Sequence, residues 1–305
     1  MADQSLKEFY ESLIGASTNW RKIEYNWRDV ALYSLGVGSD DTKDPNEIDY
    51  YYEKNMKAIP TFGTVPYFNA VNNEPQQPTP YPATFMIARK LDQYFGHVVP
   101  SLDFDHEIIM HRPIDPIKGT FVFQDTIDSV YDRGDKGMVI KTHQPVYDEA
   151  GRLICENNST ATWFEGGNFG GEPYPKSPVV FPDRAPDFVY DDYMSPTQAA
   201  LYRLTGDVML THIDREGAMT LSGQERPFMM GFCPMGYACR LAIRAVIPNQ
   251  PERMTRLALQ FRSVSFPDTR IQFQGWKIEE GKLWFRLMNL ENGKPILERG
   301  QFEWK

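Results

Sequence analysis

FMMGFCPMGYACRLAIRAVI, residues 228–247, is apolar nearly all round, and its reading decides the fold. A surface helix keeps one polar face; this segment has little besides Arg240 and Arg244 to offer water, so it predicts a helix enclosed on every side. A bilayer is the other apolar surrounding it could occupy. Two arginines, Pro234 and two glycines make that placement costly, so no membrane insertion is predicted and the helix belongs inside a folded core. Downstream, residues 271–278 and 283–290 read as strands, and the turn Glu291-Asn292-Gly293 follows them.

Working outward, the same order of elements occurs a second time. Ala31-Leu32-Tyr33-Ser34-Leu35-Gly36 is echoed by Ala200-Leu201-Tyr202-Arg203-Leu204-Thr205-Gly206, and self-similarity at long spacing marks a repeated unit. His111-Arg112-Pro113 opens a run of alternating segments through Trp163, as Phe261-Arg262-Ser263 does through Trp304. In the first run, residues 120–130 and 138–147 read as strands, with a turn at Asp148-Glu149-Ala150-Gly151. Both halves thus read as helical material followed by antiparallel strands, an α+β signature. The proline-rich residues 166–195 read as an extended connector. The boundary is placed near Gly171, giving units 1–171 and 172–305, and 305 residues suffice for two cores of ordinary size. A second proline-rich stretch, 71–82, interrupts the helical part of the first half where the second half has the unbroken 228–247 run.

Composition narrows the function. With 41% hydrophobic and 24% charged residues the chain is that of a folded protein. A net charge of -9 argues against a nucleic-acid partner, because such binding rests on clustered Lys and Arg. Cys155, Cys233 and Cys239 lack metal or disulfide spacing and suit reduced thiols. The acidic first twenty residues lack an apolar run, and the final residues Phe302-Glu303-Trp304-Lys305 are not a peroxisomal address, so a cytoplasmic location is expected.

Ser195-Pro196 followed by residues 197–204 reads as a short helix with Ser195 as N-cap, Pro196 at its first position and Gly206 ending it in a left-handed conformation. Asp207 and His212 would then lie just beyond the helix, able to face one pocket, with Asp214 capping the next helix. A carboxylate and an imidazole that share a water can take a proton from it and deliver one to a neighbouring carbon, as addition of water to a conjugated double bond requires. On spacing alone, a surface Asp beside a hydrogen-bonded His is the favoured reading. At the start of the apolar helix, Gly231 would let a carbonyl approach first-turn N–H groups suited to a developing oxyanion. Close helix packing would explain Gly231 and Gly236 as well.

Tyr202-Arg203-Leu204-Thr205-Gly206-Asp207, His212-Ile213-Asp214, Arg226-Pro227 and Gly231-Phe232-Cys233 resemble the second half of MaoC-like enoyl-CoA hydratases, the hydratase-2 family. The first half is similar through Leu32 to Gly38, Pro60-Thr61-Phe62-Gly63, His111-Arg112-Pro113 and Gly166-Gly167-Asn168-Phe169-Gly170-Gly171, so the likeness spans nearly the whole chain. The resemblance implies a tandem hotdog fold, each half a long helix wrapped by an antiparallel sheet and the two sheets joined. It implies Asp207 and His212 as the acid–base pair, the Gly231 N–H as holder of the thioester oxygen, and Met209, Met230 and Phe232 at the substrate. The substrate would be a trans-2-enoyl-CoA, hydrated reversibly to the (R)-3-hydroxyacyl-CoA; coenzyme A is part of the substrate, and no metal or redox cofactor is required. The first half would lack a catalytic pair and accommodate the acyl chain, and the protein would be a homodimer. An impaired acyl-CoA-binding protein and a hotdog thioesterase are the alternatives.

The family's loop reads Asp, any residue, Asn, Pro, an apolar residue, His; here Met209 and Leu210 stand at the Asn and Pro positions. The family also has His before the glycine, where this chain has Met230. A thioether cannot replace an amide's hydrogen bond. Losing one such bond to a reacting group costs about 1–3 kcal/mol, a rate factor of about ten to a hundred.

Overall fold

A computed structural model describes residues 4–68, 83–207 and 209–305. Among these residues, eleven strands form one sheet with antiparallel ladders. The first half supplies β1 (Arg21–Asn26), β2 (Ser101–Met110), β3 (Lys118–Phe123), β4 (Thr126–Asp132), β5 (Met138–Tyr147) and β6 (Leu153–Trp163). The second supplies β7 (Phe188–Met194), β8 (Met254–Phe261), β9 (Thr269–Glu279), β10 (Lys282–Asn289) and β11 (Pro295–Trp304). The order across the sheet is β1-β3-β5-β6-β2-β8-β11-β10-β9-β7, with β4 paired to β5 off this path. From either outer edge inward the halves match: β1, β3, β5, β6, β2 against β7, β9, β10, β11, β8. The second strand of each half meets the other at a central seam, from Asp105 opposite Gln260 to Ile109 opposite Arg256.

The described helices are α1 (Gln4–Leu13), α2 (Trp27–Gly36), α3 (Val65–Phe68), α4 (Ala83–Phe95), α5 (Gln198–Arg203), α6 (Arg215–Ser222) and α7 (Phe232–Val246). None of them is long and apolar enough to cross a membrane. The repeated sequence forms α2 and α5, which pack on each other: Gln198 Nε2 donates to the Leu35 and Gly36 carbonyls at 3.1 and 2.7 Å, and the Tyr33 and Tyr202 rings lie 6.0 Å apart. A capping box starts α2, with Asn26 Oδ1 accepting from Arg28 N and Asp29 Oδ2 from Asn26 N.

Every residue of α7 from Phe232 to Ile243 is buried, as the composition of the segment requires. Both halves touch it. Gly236 is needed because a Cβ there would lie 2.2 Å from Val37 Cγ1; without a side chain the helix closes onto the first half. Arg240, deep in this core, donates from Nη1 to Glu47 at 2.5 Å, from Nη2 to Asp192, and from Nε to the Val37 carbonyl at 3.2 Å. Glu47 belongs to the first half and Asp192 to β7, so the guanidinium joins both halves. Burial raises the Glu47 pKa and the arginine opposes that rise. Arg244, nearer solvent, donates to the Lys43 carbonyl at 3.1 Å and lies over the Tyr190 ring.

Several sequence expectations need correcting. α7 begins at Phe232, not near Pro227, because Met229 N donates to the Ser265 carbonyl and holds residues 228–230 outside the helix. Residues 120–130 are two strands, interrupted at Gln124-Asp125, where Asp125 N turns to the Thr18 hydroxyl. The 166–195 connector ends in edge strand β7, and β1 likewise precedes its helix, so neither half starts with helical material alone. Acidic residues and surrounding prolines hide β7 in the sequence; pairing with β9 makes it a strand. The placed boundary near Gly171 falls between β6 and β7, and the proline-rich 71–82 stretch lies outside the described residues.

Arg240→Ala is expected to lower unfolding free energy by about 3–5 kcal/mol, since Glu47 and Asp192 would stay buried without their shared cation. Arg244→Ala, removing the part-exposed pair that Arg244 makes with Asp44 at 3.5 Å, should cost about 1 kcal/mol. Urea unfolding of both variants checks this; equal losses would end the assignment of Arg240 as the clamp between the halves.

Candidate active site

The loop after α5 carries the two titratable residues singled out from sequence. Ser195 does not cap α5 with its side chain; Thr197 occupies the N-cap without a side-chain bond, and Ser195 Oγ contacts Gln198 Oε1 instead. Leu204 closes the helix, and Gly206, with φ of 143°, turns the chain in a conformation other than the left-handed helical cap expected. Asp207 and His212 are then both buried, at 3% and 7% exposure. His212 sits in a single 3-10 turn, Leu210–His212. Asp214 caps α6, accepting from Gly217 N at 2.6 Å, and so braces the loop from behind.

His212 Nδ1 is 2.9 Å from the Phe228 carbonyl, and the Phe228 ring stands edge-on to the imidazole at 4.8 Å. A carbonyl can only accept, so Nδ1 carries the proton and Nε2 of the neutral ring is left bare. Nε2 faces Asp207 Oδ2 at 3.8 Å, too far for a direct hydrogen bond. Burial raises the Asp207 pKa, opposed by His212, by the Met209 N–H at 3.3 Å from Oδ1, and by Arg203. The pair therefore joins a bare nitrogen base to a carboxyl inclined to hold its proton.

A pocket of about 280 Å³ opens where β2 and β8 part beyond the Asp105–Gln260 pairing. Phe228, which touches His212, is on its wall, but neither Asp207 nor His212 is among the described lining residues, and His212 borders a separate hollow with Pro196, Ile213 and Arg226. Gly231, at the N-cap of α7, is on its wall, with Phe104, Phe228, Met229, Phe261 and Ile296 supplying apolar surface. Arg133 and Arg262 are on the wall too. The first donates to Thr162 at 2.7 Å and the second pairs with Glu298 at 3.1 Å.

Of the residues expected at the substrate, Met209 is half-buried in the loop between the dyad members. Met230 and Phe232 are not among the described lining residues: Met230 is fully buried in the core, and Phe232 packs on His106 and Phe261. One turn is the reason: with α7 starting at Phe232, Met229 and Gly231 face the pocket and Met230 points inward. His106, hydrogen-bonded to Ser159, is kept neutral by burial, which pushes its pKa down to about 3. His97 and His111 pair with glutamates, and His143 contacts Asn158.

Sequence reading missed Asp103. Its side chain is open to the pocket, and its Oδ2 lies 3.5 Å from where a Cβ on Gly231 would be. Although the side chain is exposed to solvent there, the surrounding protein and nearby Asp207 push its pKa up to about 7. In sequence it is one of several acidic residues in a strand-like run; only the meeting of the halves brings it to Gly231.

The geometry defines a class: a double hotdog protein of the α+β type with an Asp/His pair beside the N-terminus of its buried helix. Residues 23–164 match the MFE-2 hydratase 2 N-terminal domain and residues 179–298 the MaoC like domain. The chain is 28% identical to the peroxisomal multifunctional enzyme type 2 of Drosophila melanogaster, over 90% of its own length and 45% of that protein's, so it spans about half of that relative. It is 26% identical to the peroxisomal enoyl-CoA hydratase 2 of Arabidopsis thaliana, over 90% of this chain and 89% of that one. The crystal structure of a MaoC-like dehydratase from Phytophthora capsici has 26% identity and a TM-score of 0.78 over 98% of both chains. The chain thus carries an MFE-2 hydratase 2 N-terminal domain followed by a MaoC like domain.

The histidine geometry can be checked without any substrate. At a pH where the ring is neutral, nitrogen NMR of His212 should show the Nδ1–H tautomer. An Nε2–H tautomer would mean that the bond to Phe228 does not form.

Proposed function

We propose that the protein is an enzyme that adds water reversibly to a trans-2-enoyl-CoA to give the (R)-3-hydroxyacyl-CoA. The observation that carries this reading is the bare His212 Nε2 facing the Asp207 carboxyl across 3.8 Å, with Gly231 on the neighbouring pocket wall. A water between the two side chains would lose a proton to Nε2 as its oxygen bonds to C3. Asp207, whose pKa is raised by burial, would give its proton to C2, while the Gly231 N–H holds the charge developing on the thioester oxygen. Passage of a proton from Nε2 back to Asp207 restores the starting state. This exchange is redox-neutral and calls on no metal or redox cofactor; coenzyme A enters as part of the substrate. The relatives' names, enoyl-CoA hydratase 2 and MaoC-like dehydratase, support both directions of the reaction.

A 1–171 unit that accommodates the acyl chain, a homodimer and a cytoplasmic location remain part of the proposal. Support for the first is that β2 of that half provides Leu102, Asp103 and Phe104 to the pocket wall. Three buried free cysteines fit a reducing compartment.

Incubation with crotonyl-CoA tests the reaction. Loss of the enoyl absorbance without thiol release supports hydration; release of free thiol would establish a thioesterase instead, and binding without either would leave an acyl-CoA-binding protein. Asp207→Asn and His212→Ala should each lower turnover at least about a hundredfold with the fold intact. Near wild-type turnover in either variant would exclude the dyad.

Met209→Asn separates decay from remodelling. If the loop has merely lost an amide, restoring it should raise hydration of all enoyl-CoA esters. If Met209 belongs to a pocket shaped for another acyl group, the unpaired amide should cost about 1–3 kcal/mol. Remodelling is the expected outcome, since Asp207, His212 and Gly231 are retained. Turnover of short, long and ring-bearing esters decides it, and a uniform gain would sink remodelling.

A further inference from the structure

Resting on the hydratase reading, we propose that Asp103 is the second hydrogen-bond donor to the substrate's thioester oxygen, beside the Gly231 N–H. The β2–β6 register shifts between Asp103 and Asp105, pairing Asp103 with Ala161 and Asp105 with the adjacent Thr160. In an unbroken strand residues 103 and 105 would share a face. The irregularity separates them: Asp105 turns to Thr160 and Tyr174, whereas Asp103 joins His106 on the face that meets α7, where His106 packs on Phe232 and Asp103 on Gly231. Irregularities of this kind commonly re-aim a side chain beside an active site.

The carboxyl so placed has no protein partner: among the described residues no hydrogen bond or ion pair holds it. Arg133 and Arg262, the cations on the same wall, are engaged with Thr162 and Glu298, and Ser263 donates to the Pro295 carbonyl. Asp207 is the acidic group that acts on it, and His212 lies beyond Asp207. A carbonyl oxygen brought to the Gly231 N–H would arrive next to Asp103 Oδ2. An ionised carboxylate there would repel the enolate oxygen, but a protonated carboxyl would donate to it. The closeness of Asp207 favours the protonated form, and more so once Asp207 has given up its proton to C2. Asp103 keeps its own proton throughout.

The test compares Asp103→Asn, which keeps an N–H donor but cannot titrate, with Asp103→Leu, which does neither. Asp103→Leu should lower kcat on crotonyl-CoA by about a hundredfold with a much smaller change in KM, and Asp103→Asn should recover part of that loss. Wild-type activity should fall as pH rises through about 7, the value near which Asp103 ionises, and in the Asn variant, where Asp103 no longer ionises and Asp207 still does, that limb should shift. Equal losses in the two variants, or the same alkaline limb in both wild type and Asn variant, would overturn the proposal. If Asp207→Asn abolishes hydration while neither Asp103 variant matters, the hydratase reading stands and this inference falls. If the wild type hydrates nothing, the infrared carbonyl stretch of bound butyryl-CoA decides: a downshift in wild type and Asn variant but not in Leu supports the donor, and no difference, or no binding, rejects it.

Discussion

The structure depends on burying one helix on all sides. α7 has almost no polar face, so neither half alone could satisfy it; each covers part of its surface, and Gly236 lets the first half close to contact distance. The same enclosure makes Arg240 expensive unless its charge is met, and Glu47 and Asp192 meet it from opposite halves. The helix thus fixes how the halves sit. Their inner strands, β2 and β8, pair along the seam, and the outer strands follow in matching order.

The candidate site is a consequence of that seam. Where β2 and β8 stop pairing, the start of α7 is left facing a pocket, and the loop after α5 delivers Asp207 and His212 alongside. Local geometry sets the chemistry: the Phe228 carbonyl selects the histidine tautomer, and burial moves the Asp207 carboxyl toward its neutral form. Phe228 can offer that carbonyl because residues 228–230 stay outside the helix. The start of α7 one turn later than the apolar pattern indicates is therefore part of how the site is built.

Much of the candidate site was readable because its residues lie in short local patterns. Asp207, His212 and Gly231 sit at spacings that mark a loop and a helix start, and the repeat in α2 and α5 appears as the same Ala-Leu-Tyr followed one residue later by Leu. Side-chain direction was less readable. Met230 and Phe232 were expected at the substrate, and only the helix start puts Met229 there in their place; β7 did not stand out from its prolines and acidic residues because pairing with β9, far along the chain, is what makes it a strand.

Sequence by itself determined that one helix must be buried all round, that the chain holds two related units, and that an acid and an imidazole flank a loop before that helix. These follow from apolar periodicity and local spacing, which need no knowledge of distant neighbours. Only the tertiary structure decided which faces meet: that Asp103 of the first half stands against Gly231 of the second, that Arg240 is neutralised from both sides, and that Met230 points into the core. Each of these depends on register and approach between segments far apart in the sequence or on where a helix starts, and long-range packing rather than local preference sets both.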